Sequence, residues 1–196
     1  MCPHCGLPFA GVGIDHLCDR CRRRPPRFDQ ARACALYDTG PETPSPLAAV
    51  VHQFKYNRDV TLAPLLADLL AARCPYGNHY DVLVPVPLHI ERLRWRGFNQ
   101  AVLLARRLAR LWSVHLDPFL LTRIRPTPPQ VGLDEGERRR NIVGAFAVRH
   151  VERIRRRRVL LVDDVYTTGA TVNECARVLK RNGARRVDVL VLARVM

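Results

Sequence analysis

The residues with the clearest chemistry lie near the C-terminus, where two carboxylates precede a loop rich in hydroxyl groups. Four apolar residues at 159–162 lead into Asp163 and Asp164, and the sequence Thr-Thr-Gly-Ala-Thr occupies 167–171. The apolar run fits a strand buried on both faces of a parallel sheet. Segment 172–180 fits a helix, and the first N–H groups of such a helix attract phosphate. The pattern predicts a site for a sugar phosphate, with the carboxylates accepting hydrogen bonds from a sugar diol.

Two other interpretations of this loop are less consistent with its residues. An ordinary turn between a strand and a helix needs one polar capping residue, whereas this loop has two acids and three threonines. A Walker-type phosphate loop is excluded, because the chain has no Gly-x4-Gly-Lys-Ser/Thr sequence. Gly169 would let the backbone approach a phosphate closely, and the threonine hydroxyl groups would add donors.

The whole stretch resembles the loop that binds phosphoribosyl pyrophosphate (PRPP) in type I phosphoribosyltransferases. The resemblance covers the apolar strand, the two acids and the threonine-rich loop in uninterrupted order. It implies that the binding residues are Asp163, Asp164, Val165, Tyr166, Thr167, Thr168, Gly169, Ala170 and Thr171.

A second constellation lies at the N-terminus, where four cysteines follow the pattern C-x2-C-x12-C-x2-C. They are Cys2, Cys5, Cys18 and Cys21. Each pair can place two thiolates on one ion, and the two pairs together complete a tetrahedron. The spacing predicts a structural zinc ribbon, too small to hold a core without its metal. Disulfides are the alternative, and a cytoplasmic location argues against them.

The charge balance is strongly positive, because 32 Lys and Arg residues face 18 Asp and Glu residues, giving +14. Lys55 and Lys180 are the two lysines, and the other basic residues are arginines. Arginine binds phosphate through two parallel hydrogen bonds, so a polyphosphate or a nucleic acid is favoured as partner. A GC-rich genome would explain arginine in place of lysine but not the excess charge. The cluster of Arg20 and 22–24 fits a nucleic-acid contact and a solvated linker equally well.

The size and hydropathy of the chain fit a soluble cytoplasmic protein. Its 196 residues, 47% of them hydrophobic, suit one medium domain with a small appendage. No apolar run approaches the ~20 residues of a membrane span. The N-terminus lacks the basic-then-apolar pattern of a signal peptide.

The elements that would position these groups alternate along the chain. Predicted strands cover 31–37, 81–87, 119–122, 144–148, 159–162 and 187–192, and predicted helices cover 46–56, 62–73, 101–112 and 172–180. Predicted loops cover 87–97 and 123–141, both rich in arginine. A long basic loop in a compact domain indicates a functional lid or a disordered segment. The alternation favours a parallel sheet with right-handed crossovers.

Taken together, the motifs resemble the ComF family, which pairs a zinc ribbon with a type I phosphoribosyltransferase domain and is linked to DNA uptake. The matching segments are the ribbon, Val84-Pro85-Val86-Pro87, Arg96-Gly97-Phe98-Asn99-Gln100, Gln130 through Arg138 to Asn141, and the loop after Asp163 and Asp164. The resemblance implies an α/β fold, a twisted parallel sheet flanked by helices. We expect a ribbon at 1–26 and the phosphoribosyltransferase-like domain at 27–196, with a hood at 31–75.

The resemblance also assigns roles to the two arginine-rich loops. Arg92, Arg94 and Arg96 are candidate donors of a pyrophosphate loop. Arg123, Arg138 and Arg139 are candidate catalytic residues of a mobile loop that would neutralise the leaving pyrophosphate and exclude water. Mg²⁺ would bridge the pyrophosphate with few protein ligands.

Two functions follow from the resemblance and stay open at this point. The first is a Mg²⁺-dependent phosphoribosyltransferase with an unidentified acceptor, acting in DNA uptake. The second is a non-catalytic PRPP sensor that binds single-stranded DNA as a competence factor. PRPP or a related sugar phosphate, single-stranded DNA and competence or recombination proteins are the candidate partners. Insertion into a membrane is not expected, and the oligomeric state is left open.

Overall fold

Strands and helices alternate along the residues that the structure, a computed structural model, describes: 1–9, 14–37, 46–74, 79–127 and 134–195. The strands are β1 (Gln30–Tyr37), β2 (Val82–Pro85), β3 (Leu121–Arg123), β4 (Phe146–Val148), β5 (Arg158–Tyr166) and β6 (Arg186–Val195). The helices are α1 (Asp19–Arg23), α2 (Pro46–Tyr56), α3 (Leu62–Arg73), α4 (Ile90–Arg96), α5 (Gln100–Trp112), α6 (Glu135–Ile142) and α7 (Ala170–Arg181). No helix in these ranges has the length and hydropathy to cross a bilayer.

The main sheet is parallel, with the strand order β1-β6-β5-β2, as the alternating pattern predicts. The central strands β5 and β6 are buried along most of their length, which explains their nearly continuous apolar sequence. Pro85 lies in the edge strand β2, where a missing N–H is tolerated. Pro85 is the register partner of Val162, so β2 ends there while β5 continues to Tyr166, beyond the predicted end at 162. Asp163 and Asp164 therefore lie in the part of β5 that extends past β2, at the carboxyl end of the sheet, where loops can surround a ligand.

Two apolar cores cover the two faces of this sheet. The face that includes Val159 and Leu161 packs against α7, the antiparallel pair of β3 and β4, and the N-terminal cysteines. The opposite face, which includes Leu160 and Val162, packs against α2, α3 and α5. The alternation of side chains along β5 thus divides the chain into three layers, with helices on both sides of the sheet. This confirms the predicted fold class.

The N-terminal ribbon packs directly on the larger domain. The N–H of Ala31 in β1 donates to the carbonyl oxygen of His4 across 2.6 Å. A Cβ on Gly6, whose φ is +71°, would lie 2.6 Å from the carbonyl oxygen of Ala31, so the two backbones touch there. All four ribbon cysteines are buried and belong to the core on one face of the sheet. The ribbon and the sheet therefore share one apolar core.

Two segments predicted to be loops contain short helices. Within 87–97 the structure forms α4, which ends at Gly97 in the left-handed region, φ +88°. Within 123–141 it forms α6, whose start is fixed by a reciprocal capping box between Asp134 and Glu137. Apolar periodicity could not reveal α6, because Ile142 is the one apolar side chain among its eight residues. The capping residues themselves were the available signal.

We predict that Cys18→Ser destabilises the whole chain and not the ribbon alone, because the ribbon shares its core with the sheet. The free energy of unfolding should fall by about 3 kcal/mol or more, as expected when a buried ligand cluster in a core is lost. Chemical denaturation followed by both far-ultraviolet circular dichroism and tryptophan fluorescence measures this.

Cys34→Ser is the matched control, because Cys34 is half-buried and lies outside the ribbon. It should change the unfolding free energy much less. A Cys18→Ser protein whose main transition keeps the wild-type midpoint would show that the two parts fold independently after all.

Candidate functional site

A cavity of about 340 Å³ opens at the carboxyl edge of the sheet, beside the ends of β2 and β5. Its walls come from α2, the segment after β2, α4, the start of α5 and the loop before α7. Its charged and hydroxyl-bearing lining residues are His52, Lys55, Tyr56, Arg92, Arg96, Arg123, Arg138, Asp163, Asp164, Thr167 and Thr171. Two acids and five arginine or lysine groups therefore share one small space.

The two carboxylates at the end of β5 differ in their surroundings. The Asp164 carboxylate forms an ion pair with Lys55 of α2, with Nζ and Oδ1 3.0 Å apart. Burial, together with the neighbouring Asp164 charge, raises the pKa of Asp163 to about 7. Asp163 is also held in place, since its Oδ1 accepts the N–H of Asp164 across 2.9 Å. The Asp164 carboxylate is thus paired with a cation, whereas the Asp163 carboxyl group gains and loses its proton near pH 7.

Two arginines in this cavity carry a buried Nε donor for which the described part of the chain offers no partner, although only Arg96 is buried as a whole and Arg123 is half-buried. Arg96 is 5% exposed and lies over the Tyr56 ring at 5.7 Å, and Arg123 lies over Phe146 at 5.6 Å. The Nε atoms of both arginines have no hydrogen-bond partner among the described residues. Burial lowers the pKa of both guanidinium groups. Such donors are costly unless an anion satisfies them, so the site fits a polyanionic ligand.

The loop between β5 and α7 forms a wall between two cavities. Thr167 and Thr171 face the cavity that holds the carboxylates. Thr168, Gly169 and Ala170 line a second cavity of about 370 Å³ on the other side, next to the ribbon. Gly169 is left-handed, φ +74°, and α7 begins directly after it. Thr167 and Thr171 therefore lie on one side of this wall, and Thr168, Gly169 and Ala170 lie on the other.

The structure brings most of the predicted site residues together and separates a few. In the first cavity lie Asp163, Asp164, Val165, Thr167, Thr171, Arg92, Arg96, Arg123 and Arg138. In the second lie Tyr166, Thr168, Gly169, Ala170 and Arg139. Arg94 is exposed on α4 and lines neither of these cavities. Gln130, with the rest of 128–133, lies outside the described residues, so the middle of the predicted mobile loop is not placed.

Sequence reasoning placed α2 within the expected hood at 31–75 but assigned none of its residues to the sugar-phosphate site. His52, Lys55 and Tyr56 line the cavity, although the apolar pattern of α2 indicated only a packed helix. Lys55 carried the one usable signal, as one of two lysines in an arginine-rich chain. Asn99 has a supporting role: its side chain caps α5 through the N–H of Ala101 and donates to the carbonyl oxygen of Val86.

The four ribbon cysteines fit a zinc ion. Their Sγ atoms all lie within 4.8 Å of one another, and those of Cys5 and Cys18 are 3.7 Å apart. Tetrahedral zinc with Zn–S bonds of about 2.3 Å needs sulfur atoms about 3.8 Å apart. Burial raises the pKa of Cys5 and Cys21, whereas backbone N–H groups outweigh burial at Cys2 and lower its pKa to about 6. A dication would allow all four buried thiols to ionise together.

Comparison with known proteins finds a matching family model and several relatives. A family model described as a phosphoribosyl transferase domain matches residues 96–196. The DNA utilization protein YhgH of Escherichia coli O157:H7 is 38% identical over 100% of this chain and 85% of its own length. Competence protein F of Haemophilus influenzae is 34% identical over 98% and 84%. A solved adenine phosphoribosyltransferase from Thermoanaerobacter pseudethanolicus is 16% identical over 70% and 83%, with a TM-score of 0.44.

We predict that Asp163→Asn stabilises the ligand-free protein increasingly as pH rises from about 4 to about 7. The folded chain holds a proton on Asp163 that the unfolded chain releases near 3.8, so wild-type stability from this group falls across that window. Asparagine does not ionise, so the variant does not lose stability from this position as pH rises. Chemical denaturation of both proteins across this pH range measures the difference.

Asp81→Asn is the control with the opposite sign. The hydrogen bond from Arg158 lowers the pKa of Asp81, so its contribution is present above the ordinary carboxyl pKa and is lost as pH falls. An Asp163→Asn effect that does not change with pH would show that Asp163 is ionised throughout.

Proposed function

This chain belongs to the ComF family of phosphoribosyltransferase-like proteins, with YhgH and competence protein F as relatives, and from this we propose that its first cavity binds PRPP with Mg²⁺. The observation that carries the proposal is the pairing, in one cavity, of the Asp163–Asp164 carboxylates with the buried donors of Arg96 and Arg123. A ribose diol satisfies the first pair, and a pyrophosphate satisfies the second.

The arrangement of the cavity suggests how each part of PRPP is held. Thr167 and Thr171, at the start of α7, would bind the 5′-phosphate through hydroxyl and backbone N–H groups. Asp163 and Asp164 would accept hydrogen bonds from the ribose hydroxyl groups. Arg96 and Arg123 would donate to the pyrophosphate, and Mg²⁺ would add charge to neutralise it. For the diol to reach Asp164, the Lys55 ammonium must release that carboxylate or share it.

We infer that the reaction, where an acceptor is present, is displacement of pyrophosphate from ribose C1. The C1–O bond to pyrophosphate breaks, a bond from the acceptor nucleophile to C1 forms, and the acceptor's proton is released. Arg96 and Arg123 would stabilise the charge that develops on the leaving oxygen, because the cavity holds them in place before the reaction. Arg138 of α6 also lines the cavity and would join them. The acceptor would enter beside α2, near His52 and Tyr56.

A second candidate function, a PRPP sensor that handles single-stranded DNA, is favoured by the second cavity. Arginines from the ribbon, the linker and α6 line it: Arg20, Arg24, Arg27 and Arg139. Among the described residues no carboxylate lines this cavity, so its field attracts phosphate. The names of the relatives, DNA utilization and competence protein, support a role in DNA uptake under either function. Pyrophosphate release measured with a panel of acceptor nucleophiles would separate enzyme from sensor.

We predict that PRPP with Mg²⁺ raises the melting temperature more than ribose 5-phosphate does. At a ligand concentration of about 100 times Kd the stabilisation is about 2.7 kcal/mol. Asp163→Asn combined with Asp164→Asn should abolish both shifts without unfolding the chain. Differential scanning fluorimetry measures the shifts.

Arg96→Met and Arg94→Met form a matched pair in this experiment, because both lie on α4 but only Arg96 lines the cavity. Arg96→Met should remove the advantage of PRPP over ribose 5-phosphate, and Arg94→Met should keep it. If the double aspartate variant still shows the full shift, the ligand binds elsewhere.

We predict weak, sequence-independent binding of single-stranded DNA that depends steeply on salt. Each neutralised phosphate contributes about −0.7 to the slope of log K against log salt concentration. Arg24→Ala with Arg27→Ala should reduce the slope by up to about two contacts. Fluorescence anisotropy with a labelled oligonucleotide measures the slope.

The control pair is Arg156→Ala with Arg157→Ala, exposed arginines just before β5 at the opposite edge of the sheet. These changes should leave the slope nearly unaltered. If no DNA binding is seen even at low salt, the sensor function is excluded and the enzyme function is favoured.

A further inference from the structure

Each cysteine pair of the ribbon is connected by its own chain of contacts to the phosphate loop, the segment 167–169 between β5 and α7. The first chain starts at Cys5, whose carbonyl oxygen accepts a hydrogen bond from the Arg194 guanidinium near the end of β6. Arg194 is 4% exposed, and its charged group lies over the Tyr166 ring at 4.5 Å. Because Arg194 and Tyr166 are register partners on adjacent strands, the contact is fixed by the sheet. The arginine thus joins the first cysteine pair to the end of β5.

Tyr166 carries this contact onward to the loop. The ring is 5% exposed and is held by an edge-on contact with Phe28, with ring centroids 6.3 Å apart. A Cβ on Gly169 would lie 2.3 Å from the Tyr166 hydroxyl oxygen, so that hydroxyl packs directly against the glycine. Burial raises the pKa of Tyr166 to about 12, which keeps the hydroxyl neutral. The position of the tyrosine therefore determines where the left-handed turn of the loop can sit.

The second chain starts between the other two cysteines. Arg20 lies in α1, between Cys18 and Cys21, and its guanidinium donates to the carbonyl oxygen of Thr168. Thr168 in turn accepts the N–H of Ala170 on its own hydroxyl. The loop is consequently held from the ribbon side at two successive residues, Thr168 and Gly169, while Thr167 and Thr171 face the opposite cavity.

We propose that Arg194 and Tyr166 are positioning residues that couple zinc bound by the ribbon cysteines to PRPP bound by the loop. The inference rests on the proposed PRPP site. Zinc fixes the Cys5 carbonyl, the carbonyl fixes Arg194, and Arg194 fixes Tyr166 beneath Gly169. The loop then presents its hydroxyl groups in the binding geometry before the ligand arrives, which reduces the ordering cost of binding. Loss of zinc frees the first contact and loosens the loop.

Thermodynamic reciprocity gives this coupling a direct measurement. If zinc tightens PRPP binding by some factor, PRPP tightens zinc binding by the same factor, and factors of about 5 to 150 are typical. In the full-length chain, zinc affinity is measured by competition with a zinc-selective chelator, with and without saturating PRPP and Mg²⁺. We expect PRPP to tighten zinc binding at least about fivefold in the wild type. In Arg194→Met the ratio should fall, and in Arg194→Met combined with Arg20→Met, which removes both chains of contacts, it should approach one, with zinc still bound.

Two further variants separate positioning from simple loss of structure. Arg194→Lys keeps the charge and a donor for the Cys5 carbonyl, so it should restore part of the ratio. Arg158→Met removes an arginine at the other end of the sheet, where it pairs with Asp81, and should leave the ratio at the wild-type value. An Arg194→Met protein that retains the full wild-type ratio, or a wild-type ratio of one with PRPP bound, overturns the proposal.

Hydrogen exchange tests the coupling without any ligand and so separates it from the proposed function. Zinc loading should slow amide exchange in residues 163–171 of the wild type, and should slow it much less in Arg194→Met. If PRPP fails to bind while this protection is seen, the PRPP site is wrong and the coupling stands. If loading protects the cysteine segment but leaves the exchange of 163–171 unchanged, the coupling is wrong whatever the ligand.

Discussion

Charges of opposite sign, brought together at the end of one buried strand, are the constraint on which the rest of this structure depends. β5 delivers Asp163 and Asp164 to a sheet edge where burial already raises the pKa of Asp163. Arg96 and Arg123 stand in the same cavity with donors that no described residue accepts. Without a ligand, neither the two carboxylates nor the two arginines have all the partners that buried polar groups need. The cavity is thus organised for a molecule that carries hydroxyl groups and phosphates together.

The ribbon takes part in this organisation because it shares a core with the sheet. In a chain of separate modules, zinc would stabilise only its own knuckles. Here the cysteines, Phe28 and Tyr166 belong to one apolar cluster, and the phosphate loop lies between that cluster and the ligand cavity. A metal ion bound by the four cysteines would therefore influence the geometry of the loop between β5 and α7, although the sulfur ligands do not contact that loop. The same packing places the arginines of the ribbon beside the loop.

The sequence predicts those parts of the molecule that local chemistry determines. The bounds of α2 and α3, the parallel sheet and the cysteine cluster follow from periodicity and spacing, and the structure confirms them. Short charged helices such as α6 do not, because caps and tertiary contacts decide them. The separation of Arg94 from Arg96, two residues apart on α4, depends on which way one helical turn faces. The docking of the ribbon depends on backbone contact between Gly6 and Ala31, which no spacing rule contains.

The choice between enzyme and sensor turns on α2, a helix of the expected hood. The cavity, about 340 Å³, lies near the lower end of the range of about 300–1,000 Å³ seen for ligand pockets. PRPP and an acceptor together need more room than PRPP alone. We expect α2, which forms one wall of the cavity, to move when both are bound. Lys55 ties that wall to Asp164 across 3.0 Å. Under the proposed PRPP binding, a ribose diol that takes over this carboxylate would weaken the ion pair and release α2. Binding of the first ligand and opening for the second are then one event, which an enzyme requires and a sensor could use as its signal.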